Sequence, residues 1–304
     1  MTLKSFLHEF LIFGMKEAQA CSFAGSFFVV LFLSKHIPLF GLARYDFIFL
    51  AAVLLQIILI AIKIETFDEL KTIFLFHLIG LCLELFKTSS SIGSWHYPEA
   101  AFFKIATVPL YSGFMYAAVA SYFSQAWRIL KARVEKYPSY WVSIPLCIAI
   151  YVNFFTDSFG FDIRWILTAL VVIVFWGTTI HFTITEKERK MPLVLAYLLV
   201  AFFIWMAENI STLFGAWEYP NQVHAWNLVA TQKVHSWFLL VIISFIIIAD
   251  LKQLKRRRTQ LLPDATPQSH LTARCARPSK PPVAVMFQYL KSHPVDAADS
   301  QTFC

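Results

Sequence analysis

Charge is scarce in this chain. Of its 304 residues only 15% are Asp, Glu, Lys or Arg, against about 25% in soluble domains, which excludes a surface built to be wetted all round. Cysteine is scarce as well. Its five copies (Cys21, Cys82, Cys147, Cys275 and Cys304) form no C-x-x-C pair, which excludes a disulfide framework and a zinc knuckle. His96, Glu99, Glu218 and His224 cluster in two loops, but their spacing matches no ligand signature, so neither a metal nor a cofactor is expected. No nucleophile signature is present. The first apolar segment lacks a small-residue cleavage pattern, so no cleaved secretory signal is expected.

What the chain has in excess is apolar surface. Hydrophobic residues make up 58% of it, with thirty-one Phe and nine Trp. They come in long runs, and a membrane crossing needs about 20 mostly apolar residues. Eight segments meet that description, near residues 18–34, 45–63, 70–88, 102–127, 139–156, 163–183, 191–212 and 226–251. The expected fold class is an all-α membrane protein of about eight transmembrane helices, the lipid bilayer being its first partner. Residues 1–17 are amphipathic, with Phe6, Phe10 and Phe13 alternating with Lys4, His8 and Lys16, and lie on the membrane surface or extend the first span. Residues 18–258 form the expected transmembrane bundle. Residues 259–304 are rich in Pro, Ser and Ala without a periodic apolar face, and are expected to be a disordered cytoplasmic tail.

The net charge of +7 does not point to nucleic acid, because the basic residues gather in short loops and in the run Lys252 to Arg258. Counted by alternating compartment, sixteen Lys and Arg lie on the side of the termini. Six lie opposite: Lys35, Arg44, Lys87, Lys104, Arg164 and Lys233. Positive charge stays inside, which puts both termini in the cytoplasm of a bacterial inner-membrane protein.

The chain also echoes itself. Glu84 and Thr88 are followed by Gly93-Ser94-Trp95-His96-Tyr97-Pro98, and Glu208 and Thr212 by Gly215-Ala216-Trp217-Glu218-Tyr219-Pro220. The glutamates are 124 residues apart, as are Ala106-Thr107 and Ala230-Thr231. The expected architecture is therefore two four-helix halves, about 18–131 and 138–258, with the same orientation, a parallel repeat. Both Trp-x-Tyr-Pro turns then fall at the outer interface, where Trp and Tyr are favoured.

An ionisable residue inside a span is a functional hypothesis by default. Glu84 and Glu208 are thus the leading candidates for catalysis or proton transfer, with Tyr111 or His235 as relays. His77, Gly80, Glu84 and Thr88 share one face of a helix by their three- and four-residue spacing. The expected binding residues are His77, Thr88, Thr107, Thr212, Thr231, Trp95, Tyr97, Trp217 and Tyr219. Gly113, Ala117 and Ser121 read as a packing ridge. Lys87 and Lys104 are expected to snorkel to the interface. Lys233, taken as seven residues into a helix beginning at 226, is expected on the helix face opposite Thr231 and His235, where it snorkels to the interface or pairs with a carboxylate outside the site such as Asp157 or Asp162.

Four motifs carry a resemblance. They are Gly93 to Glu99, Pro109 to Val119, Asn153-Phe154-Phe155-Thr156 with Asp162-x-Arg164-Trp165, and Glu208-Asn209-Ile210 with Phe214 to Pro220. In this order they resemble the YoaT-like bacterial integral membrane proteins over roughly residues 5–258. That family is one of unknown function, so the resemblance implies location and size and no activity. A shorter likeness, confined to a Glu before an aromatic turn, is to membrane carotenoid hydratases and cyclases, which have Tyr where this chain has Trp. Three functions compete: an intramembrane enzyme acting on an isoprenoid or other lipid, a proton-coupled carrier of a small solute, and a non-catalytic assembly partner. Pro109 and Pro145 do not correspond at the 124-residue offset, so the paired helix breaks of many carriers are missing. The duplicated polar stripe favours a site for a small molecule or lipid over a passive role.

Overall fold

Long apolar segments satisfy their backbone hydrogen bonds internally, which is what a helix does. The structure, a computed structural model, describes residues 3–261, and side chains as far as Lys252. Its helices are α1 (Leu3–Ala20), α2 (Ser22–His36), α3 (Arg44–Ala61), α4 (Phe67–Lys87), α5 (Ser112–Ile129), α6 (Tyr140–Thr156), α7 (Arg164–Val174), α8 (Leu193–Leu213) and α9 (Lys233–Leu261). Two short strands, β1 (Lys104–Ile105) and β2 (Val108–Pro109), form an antiparallel hairpin. Three more, β3 (Arg133–Glu135), β4 (Thr179–Thr183) and β5 (Glu188–Pro192), make an antiparallel sheet in the order β3-β4-β5. The expected tail lies, from residue 262 on, outside the described residues.

Among the described residues four helices are long and apolar enough to cross a membrane: α3, α6 with its extension to Phe159, α8, and α9 as far as Lys252. The pair α1 and α2, bent by 68°, is a fifth if taken as one span. Every one of the eight expected segments contains a helix, but in the fourth, sixth and eighth the helix starts or stops well inside the segment. The fourth is helical only from Ser112, because residues 104–109 turn back on themselves as β1 and β2. The sixth breaks after Val174. Gly177 is a poor helix former and Thr178, Thr179 and Ile180 are β-branched, so the chain leaves the helix and pairs as β4 with β5. The eighth starts at Lys233. Residues 226–230 take no regular structure and 231–232 form a turn, with the Asn209 side chain accepting the Val229 N–H at 2.9 Å and Gln222 donating to the Asn227 carbonyl at 2.6 Å.

The core is helix on helix. Ile73 and Phe76 of α4, Ala117 and Ala120 of α5, Ile150 of α6, Val171 of α7, and Tyr197 and Ala201 of α8 close around residues 238–249 of α9. Of the span of α9, 61% is buried, against 22% for α6, so α9 is the central rod. A second cluster joins Phe27 and Leu31 of α2 to Tyr45, Ile48 and Ala52 of α3, with Tyr111 and Trp217. Helices α4 and α5 approach closely because glycine faces a ring each way. A Cβ on Gly80 would lie 2.3 Å from Tyr116, and one on Gly113 would lie 2.6 Å from His77.

Hydrogen bonds sort the loops into two ends. At one, Lys16 of α1 donates to the Thr183 carbonyl of β4 at 3.0 Å, and buried Glu65 accepts from Gln56, Ser121 and Gln125. The sheet lies here, with most of the loop Lys and Arg. At the other, Arg44 and Asp46 in the first turn of α3 gather the remaining loops. Arg44 donates to the Phe214 and Gly215 carbonyls and pairs with Glu99. Asp46 accepts the N–H groups of Phe102 and Phe103 at 2.8 Å each.

Candidate functional site

The site lies at this second end. Gly93 and Gly215, equivalent in the two turns, have φ of +58° and +62°, a region glycine enters without steric cost. Each reverses the chain so that Trp and Tyr fold back over the end of the preceding helix. The two turns then pair with each other. His96 and Glu218 exchange backbone N–H···O bonds of 3.0 Å in both directions. Flanking residues of such a pair share a face, and Trp95 meets Tyr219 edge to face with centroids 6.1 Å apart.

Each glutamate is held by a tryptophan and at least one tyrosine. Glu84, in the last turn of α4, accepts Trp95 Nε1–H (2.8 Å) and Tyr97 O–H (2.7 Å) on Oε2, and Tyr116 O–H (2.8 Å) on Oε1. Glu208 of α8 accepts Tyr219 O–H on Oε1 and Trp237 Nε1–H (2.7 Å) on Oε2. Both carboxylates are buried. Burial, and then the neighbouring glutamate, push the phenols of Tyr97 and Tyr219 well above their ordinary range, so both remain donors at neutral pH.

Between the two grips is a cavity of about 450 Å³, and both Glu84 and Glu208 line it. That volume is within the range of small-molecule sites. Its aromatic wall is Trp95, Tyr116, Trp217, Tyr219 and Trp237; its polar wall is Lys87, Asp157, Ser158, Arg164, Lys233 and Ser236. Lys87 donates to Asp157 at 2.6 Å and Ser158 at 2.9 Å. Arg164 donates to Ser236 at 3.1 Å and pairs with Asp162 at 2.6 Å, holding that carboxyl down at about 2. The Lys233 ammonium lies over the rings of Tyr219 (4.7 Å) and Trp95 (5.7 Å).

The family model described as "Protein of unknown function (DUF817)" matches residues 9–245. The chain belongs to that family. It is similar to "Uncharacterized protein YoaT" of Bacillus subtilis (strain 168), with 52% identity over 251 residues, 83% of this chain and 94% of that protein. No solved structure matches. Every residue that lines the cavity falls within the part matched by the family model.

Of the residues expected at the site, Glu84, Glu208, Trp95, Trp217 and Tyr219 line the cavity, and Tyr97 binds Glu84 from behind. The others are elsewhere. Tyr111 is fully buried and donates to the Ala216 carbonyl, joining α5 to the second turn. His235 faces α7, where it hydrogen-bonds Thr168 and lies against Trp165, the rings tilted by 39° with centroids 4.4 Å apart. His77 is two turns inward of Glu84, against Gly113. Thr88 bonds the Glu84 carbonyl and Thr107. Thr212 bonds the Asn209 carbonyl and accepts from Trp226. Thr231 is exposed in the turn before α9. None of these is among the lining residues.

The lysines exchange roles. Lys87 does not snorkel but is the buried partner of Asp157. Lys233 does not reach for Asp157 but enters the cavity. As the first residue of α9, not its seventh, it is free of the helical register with Thr231 on which the expectation rested. Tyr116 and Trp237 were missed because the repeat hides them. At the 124-residue offset Tyr116 matches Leu240, and Trp237 matches Gly113. The one available signal for Tyr116 was its place a single turn from Ser112 on the face of α5 that meets Gly80.

Proposed function

We propose that the chain is a multi-pass protein of the bacterial cytoplasmic membrane, with both termini in the cytoplasm. In this reading eight helical crossings form two parallel four-helix halves, and a small-molecule or lipid-headgroup site built on Glu84 and Glu208 lies near the outer leaflet. The observation that carries the reading is the cavity shared by the two carboxylates. Had each glutamate been tied to its own helix pair with no void between them, it would have served only to hold helices together. The paired turns and their equivalent left-handed glycines support the two halves, and the gathering of loop Lys and Arg at the sheet end supports the orientation. Buried carboxylates in a roomy cavity serve ligand binding in a carrier and in an enzyme alike.

The test is a lipid and metabolite profile of a deletion strain beside strains carrying Glu84→Gln or Glu208→Gln, with membrane levels of the protein measured in each. The expected result is that both Gln strains, at normal protein levels, reproduce the profile of the deletion strain. A deletion profile distinct from wild type, with both Gln strains matching wild type, would overturn the reading.

A further inference from the structure

The charges around the cavity do not balance, and what is left over indicates the ligand. Lys87 and Asp157 neutralise each other at 2.6 Å, as do Arg164 and Asp162 at the same distance. That leaves Glu84 and Glu208 against Lys233. Among the described residues Lys233 makes no ion pair within 4 Å, and its ammonium is received by two aromatic faces. The carboxylates retain capacity. Each oxygen of Glu208 accepts one hydrogen bond, and Oε1 of Glu84 accepts one, whereas a carboxylate offers about four acceptor sites in all. Electron-rich rings beside acidic groups form the setting in which proteins hold ammonium ions. The ring quadrupole attracts the cation, and the carboxylates supply the opposite charge.

We infer that the cavity binds an organic monocation, a substituted ammonium group, between Glu208, Glu84 and the Trp95–Tyr219 pair, and that Lys233 is a tethered ammonium occupying the same place. This rests on the cavity's being a small-molecule site and adds the class of ligand. The ligand enters as the Lys233 side chain withdraws, so Lys233 sets a threshold affinity that a free cation must exceed. The ammonium can come from a soluble amine or from the headgroup of a choline or ethanolamine phospholipid.

Three cavity tryptophans (Trp95, Trp217 and Trp237) make binding visible in the emission of the full chain purified in maltoside detergent. The titrants are choline chloride, short-chain phosphatidylcholine below its micellar concentration, and sodium acetate, at constant ionic strength. The expected result is a saturable change with choline or with the phosphatidylcholine and none with acetate. Response to choline assigns a soluble source; response to the phospholipid alone assigns a lipid headgroup. Glu208→Gln should weaken binding at least tenfold, and Lys233→Gln should tighten it several-fold by removing the competitor. Saturation by acetate alone, lost in Lys233→Gln, would overturn the cation assignment and leave the small-molecule site standing. Saturation by none of the three, in protein that melts normally, would overturn both.

Discussion

Replacing Glu84 by alanine should cost on the order of 3 kcal/mol or more of stability. Three donors converge on this carboxylate, from Trp95, Tyr97 and Tyr116, and a buried donor left without a partner costs about 1–3 kcal/mol. Water entering from the cavity can serve one of them, but not three on two faces of the same helix end. Glu84→Gln should be far milder, at well under half of the alanine cost. Its single carbonyl can still accept from Trp95 and Tyr97, which share Oε2, and Tyr116 can rotate its hydroxyl to accept from the amide. Reversible unfolding in SDS measures both. Equal costs for the two substitutions, or an alanine cost below about 1 kcal/mol, the range of an exposed pair, would mean that the grip on Glu84 does not exist as described.

The second large effect is expected at Lys87, where Lys87→Met should cost about 3–5 kcal/mol, since removing one partner of a buried ion pair strands the other. The side chains of Lys87 and Asp157 are only 8% and 16% exposed, so solvent does little to rescue the stranded carboxylate. The double variant Lys87→Met with Asp157→Asn should recover most of the loss, because no charge is then left unpaired. A snorkelling lysine would behave differently, with Lys87→Met costing less than about 1 kcal/mol and Asp157→Asn adding to it independently.

These two residues show what could be read from the sequence and what could not. The glutamates were legible because they break long apolar runs, and because the Gly-small-Trp-x-Tyr-Pro turn after each repeats. The turn has a local cause, a left-handed glycine and a proline, and local causes survive in sequence. The helices were legible for the same reason, apart from their ends. Loss of helix after Val174 has a local mark in Gly177 and the β-branched residues that follow it, but the pairing of Thr179–Thr183 with β3, some 45 residues earlier in the chain, leaves none.

The rest of the site is a tertiary fact. Tyr116 and Trp237 complete the two carboxylate grips from positions that are not equivalent in the repeat, so comparing the halves conceals them. Helical spacing correctly set His77 on the stripe of Glu84, but a stripe is long. Seven residues at 1.5 Å each put His77 about 10 Å inward, below the floor of the cavity. Tyr111 and His235 were placed by four-residue helical spacing from Thr107 and Thr231, neither of which lies in a helix. Tyr111 instead falls where the α2–α3 cluster meets the second turn, and His235 where α9 meets α7. The assignment of Lys233 depended on where α9 begins. The polar anchors Asn209 and Gln222, which hold Val229 and Asn227 outside the helix, decide that point.

The central claim is that Glu84 and Glu208 belong to one cavity. A double-mutant cycle tests it most directly, with the stability of Glu84→Gln, Glu208→Gln and the double variant measured by reversible SDS unfolding. Two like charges facing one void repel, so each single substitution relieves that repulsion while the double variant relieves it only once. The double variant should therefore lose more stability than the sum of the singles, by at least about 0.5 kcal/mol, beyond the scatter of independent sites. Additivity within that margin would place the two carboxylates in separate environments and contradict the account.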